Sequence, residues 1–364
     1  MRVVVIGAGI VGAAVAAGLT RRGAQVTVLE ERFPGAGTTG ASFAWVNANH
    51  ADSEPYFTLA HAGLHAHYAL GSDAFQPTGH LEWATGDGRL VELSRRVERL
   101  RGREYAVERI TADQATELEP GLTTRPEGTE YVLFPEEAHV FPARLLGRLL
   151  AEARAGGAEV ENGAAVREVR SGSAGASVVL ADGDVRTTDV VVSCAGRWTD
   201  MLLDIPMRVP GVGTTGYLAT TSPLPTPLSR VLTTDGLSVR PDGGGRLLLR
   251  ARDLDFAADP ALPPAPRIGA ELLARLPEVL TGTEGAHVEQ IRVAAHATPA
   301  RGRTVAGFVD DAEHVYAVVT RDGVTLAPLL ADLVAGEVYG TESALLAPFR
   351  PGADVLAFPA GTSL

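Results

Sequence analysis

The chain of 364 residues contains no lysine, so all 32 side chains counted under Lys and Arg are arginine. A pyridoxal phosphate enzyme needs a Schiff-base lysine, and a Walker-type phosphate loop needs one beside its Ser or Thr. Both chemistries are excluded. Cys194 is the single cysteine, which leaves no intrachain disulfide and no cysteine zinc cluster. It is expected to be a small core residue. Positive charge is in deficit, with a formal net charge of −12, where a nucleic-acid binder wants a basic face. No nucleic-acid partner is expected. Long apolar runs are also missing: none reaches the roughly 20 residues of a membrane helix. Arg2 leads directly into the short run Val3 to Ile6 and then Gly7, unlike a signal peptide. A cytoplasmic protein without membrane contact is the expectation.

With 45% hydrophobic and 21% charged residues, the composition is that of a folded globular protein. At roughly 150 residues per domain there is room for about two domains. Val3 to Ile6, a helix through Leu19 and Gln25 to Glu30 read as one βαβ unit. A helix is expected over 59–70, and the Arg- and Glu-rich stretch 89–119 reads as a solvated helical face. Phe141 to Leu145 opens an amphipathic helix that Gly156-Gly157 ends. Residues 160–169, 177–180 and 188–193 are expected strands. Leu237 to Arg240, a turn at Asp242 to Gly245, and Leu247 to Leu249 spell a hairpin. Finally, strand 315–319, Gly323 and a helix over 324–335 repeat the first pattern in miniature.

The Gly-x-Gly-x-x-Gly at Gly7, Gly9 and Gly12 carries the chemistry. The first glycine permits the tight turn, the second lets backbone approach a pyrophosphate, and the third lets helix pack on strand. Amides at the start of that helix, including those of Ile10 and Val11, then face the phosphates. Glu30 ends the second strand, followed by Glu31, where a carboxylate accepts from ribose hydroxyls and repels a 2′-phosphate. The reading is an adenine dinucleotide, and NAD and FAD share this fingerprint.

Glu30, the loop Pro34-Gly35-Ala36-Gly37-Thr38-Thr39-Gly40-Ala41-Ser42 and the segment Arg321-Asp322-Gly323-Val324-Thr325 resemble the FAD-dependent D-amino-acid oxidase, glycine oxidase and sarcosine oxidase-like family (the DAO family). Glu137-x-His139-Val140-x-Pro142, Asp189-Val190-Val191-Val192 leading to Ala195-Gly196-Arg197-Trp198, and Thr298-Pro299 before Gly302 and Gly307 follow in order. The resemblance implies an α/β fold. A Rossmann-like, glutathione-reductase-type FAD domain (1–50, 136–205, 295–350) would interleave with an α+β substrate domain on an antiparallel sheet (51–135, 206–294), before a tail at 351–364. It also implies contacts: Thr38 and Thr39 by the pyrophosphate and ribityl chain, Ala44, Trp45, Val46 and Asn47 beside the isoalloxazine, Val166 at the adenine, and Ala195-Gly196 passing close by. The helix starting at Gly323 would aim amides at flavin N1 and the C2 carbonyl, where charge gathers on reduction.

The sequence departs from the family in three places. Cys194 is expected within the strand run that precedes Gly196, and Gly40-Ala41 fills the early loop, so FAD is expected to be non-covalent. No lysine can activate oxygen, which leaves the acceptor as oxygen or an unknown species. His296 occupies the register of the family's carboxylate-binding Arg. Arg321 is then the first candidate anchor, with Arg292, Arg240 and Arg250 behind it. Catalytic contacts are assigned to Arg321, His296, Trp45 and Asn47, the last two within the cluster Trp45, Asn47, Asn49, His50. Tyr217 reads as a core or edge tyrosine. His61, His65 and His67 read as surface side chains, with no metal expected. The reaction implied is oxidation of an amine or amino-acid-like small molecule to an imine by hydride transfer to flavin N5, with positioning supplying most of the catalytic effect. The rivals are FAD-dependent oxidation of a hydroxy acid or alcohol, an NAD-dependent dehydrogenase, and a catalytically silent flavin-binding protein.

Overall fold

The structure is a computed structural model that describes residues 1–352 except 52, 210 and 212, so the expected tail lies outside the described residues from 353 onward. Its organising element is a sheet of six strands built around β1 (Arg2–Ile6) and β2 (Gln25–Glu30). In spatial order they are Thr304–Phe308, Val315–Thr320, Val190–Ser193, β1, β2 and Glu159–Asn162. All neighbours run parallel except Thr304–Phe308, which pairs antiparallel with Val315–Thr320. These strands are apolar runs because both faces are covered. Val3, Val5, Val28 and Val192 face the helices, while Val4, Ile6, Leu29 and Val191 face a three-stranded antiparallel sheet formed by residues 166–188.

Three helices pack on the first face: α1 (Ile10–Arg21), Pro142–Ala155 and Gly323–Val338. Small residues set their spacing. A Cβ on Gly18 of α1 would stand 1.9 Å from the Ala331 carbonyl oxygen, so α1 and the last helix touch backbone to backbone. Helix Glu54–Leu70 packs in turn on Gly323–Val338 through Gly63, whose Cβ would lie 2.8 Å from the Thr325 carbonyl oxygen. It starts five residues before the expected helix, because the Ser53 side chain accepts from the Tyr56 amide and Pro55 sits in the first turn.

A second sheet of eight strands is drawn from residues 80–134 and 215–295 and is mostly antiparallel. The hairpin read from the sequence is its centre, Ser238–Gly243 against Arg246–Arg250. Two expectations need correction. The single strand over 160–169 is two, Glu159–Asn162 and Val166–Gly172, because Gly163 turns at φ +75° and sends the chain to another sheet. The stretch 89–119 is not one solvated helix: Asp87–Arg101 is followed by strand Glu108–Ile110 and helix Ala112–Leu118. Within it Arg96 turns inward, its Nη2 2.5 Å from Glu82 Oε1.

Candidate active site

β1 ends in a turn that requires glycine. Gly7 has φ +98°, and a Cβ there would lie 2.7 Å from the Cys194 carbonyl oxygen. A Cβ on Gly12 would lie 1.9 Å from the Gly7 carbonyl oxygen, which brings α1 down onto the turn. The N-terminus of α1 opens into a cavity of about 970 Å³. Its near end is lined by Gly7, Gly9, Ile10, Val11, Glu30, Glu31, Thr38 and Thr39, with Val166, Ala195, Gly196 and Trp198 along the side. Glu30 accepts from the Ala8 amide through Oε2 and from the Arg32 amide through Oε1, both at 2.9 Å, and each oxygen keeps a lone pair. The Ile10 amide donates to Thr39 Oγ1 at 3.0 Å, and Thr38 Oγ1 donates to the Ala295 carbonyl at 2.5 Å. At Gly9 a Cβ would crowd Thr39 Oγ1 at 3.3 Å. A side-chain-free floor, a dipolar helix end and a carboxylate with lone pairs to spare at the end of the second strand fit an adenine dinucleotide.

The Gly323 turn meets the start of α1, just past the Gly7 turn. A Cβ on Gly323 would lie 3.1 Å from Val11 Cγ2 and 3.6 Å from Ile10 Cγ2. Residues 320–325, Ala44, Trp45 and Asn47 therefore line the same cavity as the glycine fingerprint. The last helix aims its amide end inward, a place where negative charge on a reduced ring is stabilised. Its cap, Asp322, accepts from the Tyr56 hydroxyl and from Arg303 Nη1. Burial pushes the Asp322 carboxyl up, but Arg303 and Arg321 overcome this and hold it below its usual range. Arg321 donates to the Gly213 carbonyl at 2.6 Å. His296 is pushed down to about 3 by burial, reinforced by Arg321 and Arg250. It is a neutral imidazole at physiological pH.

Trp45 donates its indole N–H to Glu137 Oε2 at 2.8 Å. The same fully buried carboxylate accepts from Asn49 Nδ2 and the Tyr105 hydroxyl, each at 2.8 Å, and lies 3.1 Å from His80 Nδ1. Glu137 thus fixes the tryptophan against His50, whose ring it meets edge-on at 5.3 Å. Asn47 Nδ2 reaches the Trp45 carbonyl at 3.4 Å.

Several sequence expectations land elsewhere. Val46 is wholly buried and does not line the cavity; Gly12 lies beneath the turn; Gly307 sits on the edge strand against Pro351 and Arg350. Asn49 faces Glu137 rather than the cavity. Arg240 is buried and donates to the Phe43 and Pro241 carbonyls, while Arg292 donates to the Gly40 carbonyl, so neither lines the cavity. Tyr217, by contrast, is the core tyrosine expected, its hydroxyl donating to the Ala257 carbonyl. His67 is not at the surface: it is wholly buried, with Nε2 2.8 Å from the Val324 carbonyl oxygen.

The sequence reading missed Tyr56, Arg303 and Arg252, all of which line the cavity. Only for Arg252 was a signal present, two residues beyond Arg250 at the end of the hairpin. Arg252 stays partly open to solvent at the cavity wall, where desolvation, with Arg250 and Arg96 beside it, pulls its guanidinium down to about 10. No carboxylate pairs with it among the described residues, whereas Arg250 is held by Asp255 at 2.7 Å. Cys194 is buried, and desolvation pushes its thiol up to about 12.

Comparison with known proteins agrees with this geometry. A family profile described as FAD dependent oxidoreductase (DAO) matches residues 2–337. Glycine oxidase of Geobacillus kaustophilus (strain HTA426) is 27% identical over 377 aligned residues, spanning 95% of each chain. The crystal structure of glycine oxidase from Geobacillus kaustophilus matches with TM-score 0.84 and 23% identity, over 96% of this chain and 98% of that one. Iminodiacetate oxidase from Chelativorans sp. BNC1 matches with TM-score 0.81 and 24% identity, over 96% and 99%. No helix among the described residues is long and apolar enough to cross a membrane. The fingerprint, the paired helix ends and a family match over nearly the whole chain identify this protein as a member of the DAO family of FAD-dependent oxidoreductases.

Proposed function

We propose that the protein oxidises the C–N bond of an amine or amino-acid-like small molecule that carries a carboxylate. The observation that carries this reading is the charge balance at the inner end of the cavity. Arg250, Arg252, Arg303 and Arg321 line it with Asp255 and Asp322. Arg250 is paired with Asp255 and Arg303 with Asp322, while Arg321 bonds a neutral carbonyl and Arg252 has no carboxylate partner among the described residues. Such a surplus of cationic donors suits an anionic group on the substrate. The glycine oxidase relatives support an amino-acid-like substrate.

FAD supplies the two-electron acceptor when bound. The chain's own residues orient the substrate, and on this reading Arg252 and Arg321 hold its carboxylate. Trp45, braced by Glu137, walls its side chain. Neutral His296 accepts an N–H hydrogen bond without adding a positive charge that would repel the amine. Residues 1–50, 136–205 and 295–350 form the cofactor half, and 51–135 with 206–294 the substrate half. Helix Glu54–Leu70 also packs on the last helix and sends Tyr56 into the cavity.

The test is anaerobic bleaching of the flavin absorbance by paired compounds, N-substituted amino acids against the same amines without the carboxylate. Amino acids should bleach and decarboxylated amines should not. Arg252→Gln should cost about 10- to 100-fold in kcat/KM, the weight of a charge-assisted hydrogen bond. Bleaching by 2-hydroxy acids and not by amines would replace this reading.

A further inference from the structure

Helix Glu54–Leu70 carries His61 and His65 on one face, one turn apart. Their Nε2 atoms stand 3.0 Å apart, with ring centroids at 4.5 Å. Two imidazole lone pairs at that distance repel unless a proton or a cation lies between them. A third donor comes from outside the helix. Glu136, in the turn between Glu130–Phe134 and Ala138–Val140, brings a carboxylate oxygen so that all three ligand atoms lie within 4.8 Å of one another. None of the three lines the cavity.

We propose that His61, His65 and Glu136 form a binding site for a divalent transition cation of the zinc, cobalt or nickel class. Two imidazoles and one carboxylate select this class over calcium or magnesium, which prefer all-oxygen sets. Tetrahedral zinc, with ligands at about 2.0–2.2 Å, separates them by roughly 3.4 Å. The histidine nitrogens are already near that spacing, and an exposed glutamate closes the remainder by torsion alone. Water completes the fourth position. The surroundings hold the ligands in place: Phe57 stacks on His61 with centroids at 5.4 Å, and the Tyr68 hydroxyl donates to the Glu136 carbonyl at 2.9 Å.

Bound metal would join the helix to the turn whose next residue is Glu137, the brace of Trp45. Tyr105 bridges the two places, with its ring 5.5 Å from His61 and its hydroxyl on Glu137 Oε1. The site therefore tightens the cavity wall from outside.

Flavin-loaded protein stripped with a chelator and dialysed is titrated with zinc chloride against a chromogenic competitor, and its melting temperature is followed. One equivalent should bind and raise the melting temperature. His65→Ala and Glu136→Gln should weaken binding by roughly tenfold or more and abolish the rise, with the flavin spectrum unchanged. Both side chains lie outside the core, so these variants fold. Zinc binding equally to wild type and variants, or not at all to wild type, overturns the proposal and leaves a shared proton as the occupant between the histidines.

Discussion

At the scale of single residues, the site depends on a few side chains whose partners come from far along the chain. Glu137 is the clearest, with three hydrogen-bond donors and His80 converging on one buried carboxylate. Glu137→Ala strands those groups in the interior, and a denaturant melt should show a loss of about 3–5 kcal/mol. Trp45→Phe removes the indole N–H and its five-membered ring but keeps a six-membered aromatic ring. It should leave stability within about 1.5 kcal/mol while raising KM, if the indole walls the substrate as proposed. Gly12→Ala is harsher than its size suggests, because the added carbon would lie 1.9 Å from the Gly7 oxygen. The turn must shift, and the purified variant should lose its yellow colour. Full flavin content in that variant would refute this account of the turn.

At the scale of elements, the arrangement turns on how closely α1 and the last helix approach. Gly18 packs on the Ala331 backbone, and that contact helps set where the Gly323 end points. Gly18→Val should spread the two helices and destabilise the protein by about 1–3 kcal/mol, the usual cost of overpacking. It should also weaken flavin retention, since Gly323 and Val11 belong to the separated helices. A stable variant with native flavin content would show that the crossing does not position the cavity. The glycine turn, α1 and the late strand-turn-helix were legible from local pattern alone, because each is an apolar run ended by a residue of special backbone freedom. The break at Gly163 was not legible, since the flanking residues suit a strand and only sheet membership separates them.

At the scale of the whole molecule, buried neutral histidines couple folding to pH. His67 is pushed down to about 4 and His139 to about 3, in both cases chiefly by burial. In the unfolded chain each takes a proton near pH 6.5, so below that value the unfolded state binds more protons than the native one. Stability is therefore full above about pH 6.5 and falls as the pH drops toward 4 and then 3. Thermal melts at pH 7.5 and pH 5 should differ in that direction, and His67→Gln should flatten the dependence. The cofactor acts on the same scale. A cavity of about 970 Å³ between the two sheets leaves the wall residues without packing partners when it is empty. Removing FAD should lower the melting temperature, and adding it back in excess should restore it in a concentration-dependent way.

By itself the sequence determined the nucleotide fingerprint, the family and the absence of any lysine chemistry, because these are written in short runs and in composition. Local backbone rules suffice to read a glycine turn or an alternating hairpin. Only the tertiary structure decided which charges face the cavity. Arg252 and Arg240 are both arginines of the same hairpin region, yet one lines the cavity without a carboxylate partner among the described residues and the other is buried, spent on the Phe43 and Pro241 carbonyls and the Asp242 carboxylate. It likewise brought Glu136 to His61 and His65, more than 70 positions away in sequence, and carried their helical neighbour His67 into the core. The reason is physical: a side chain's charge state and role follow from its neighbours in space, and β-sheet pairing and helix crossing choose those neighbours from anywhere in the chain.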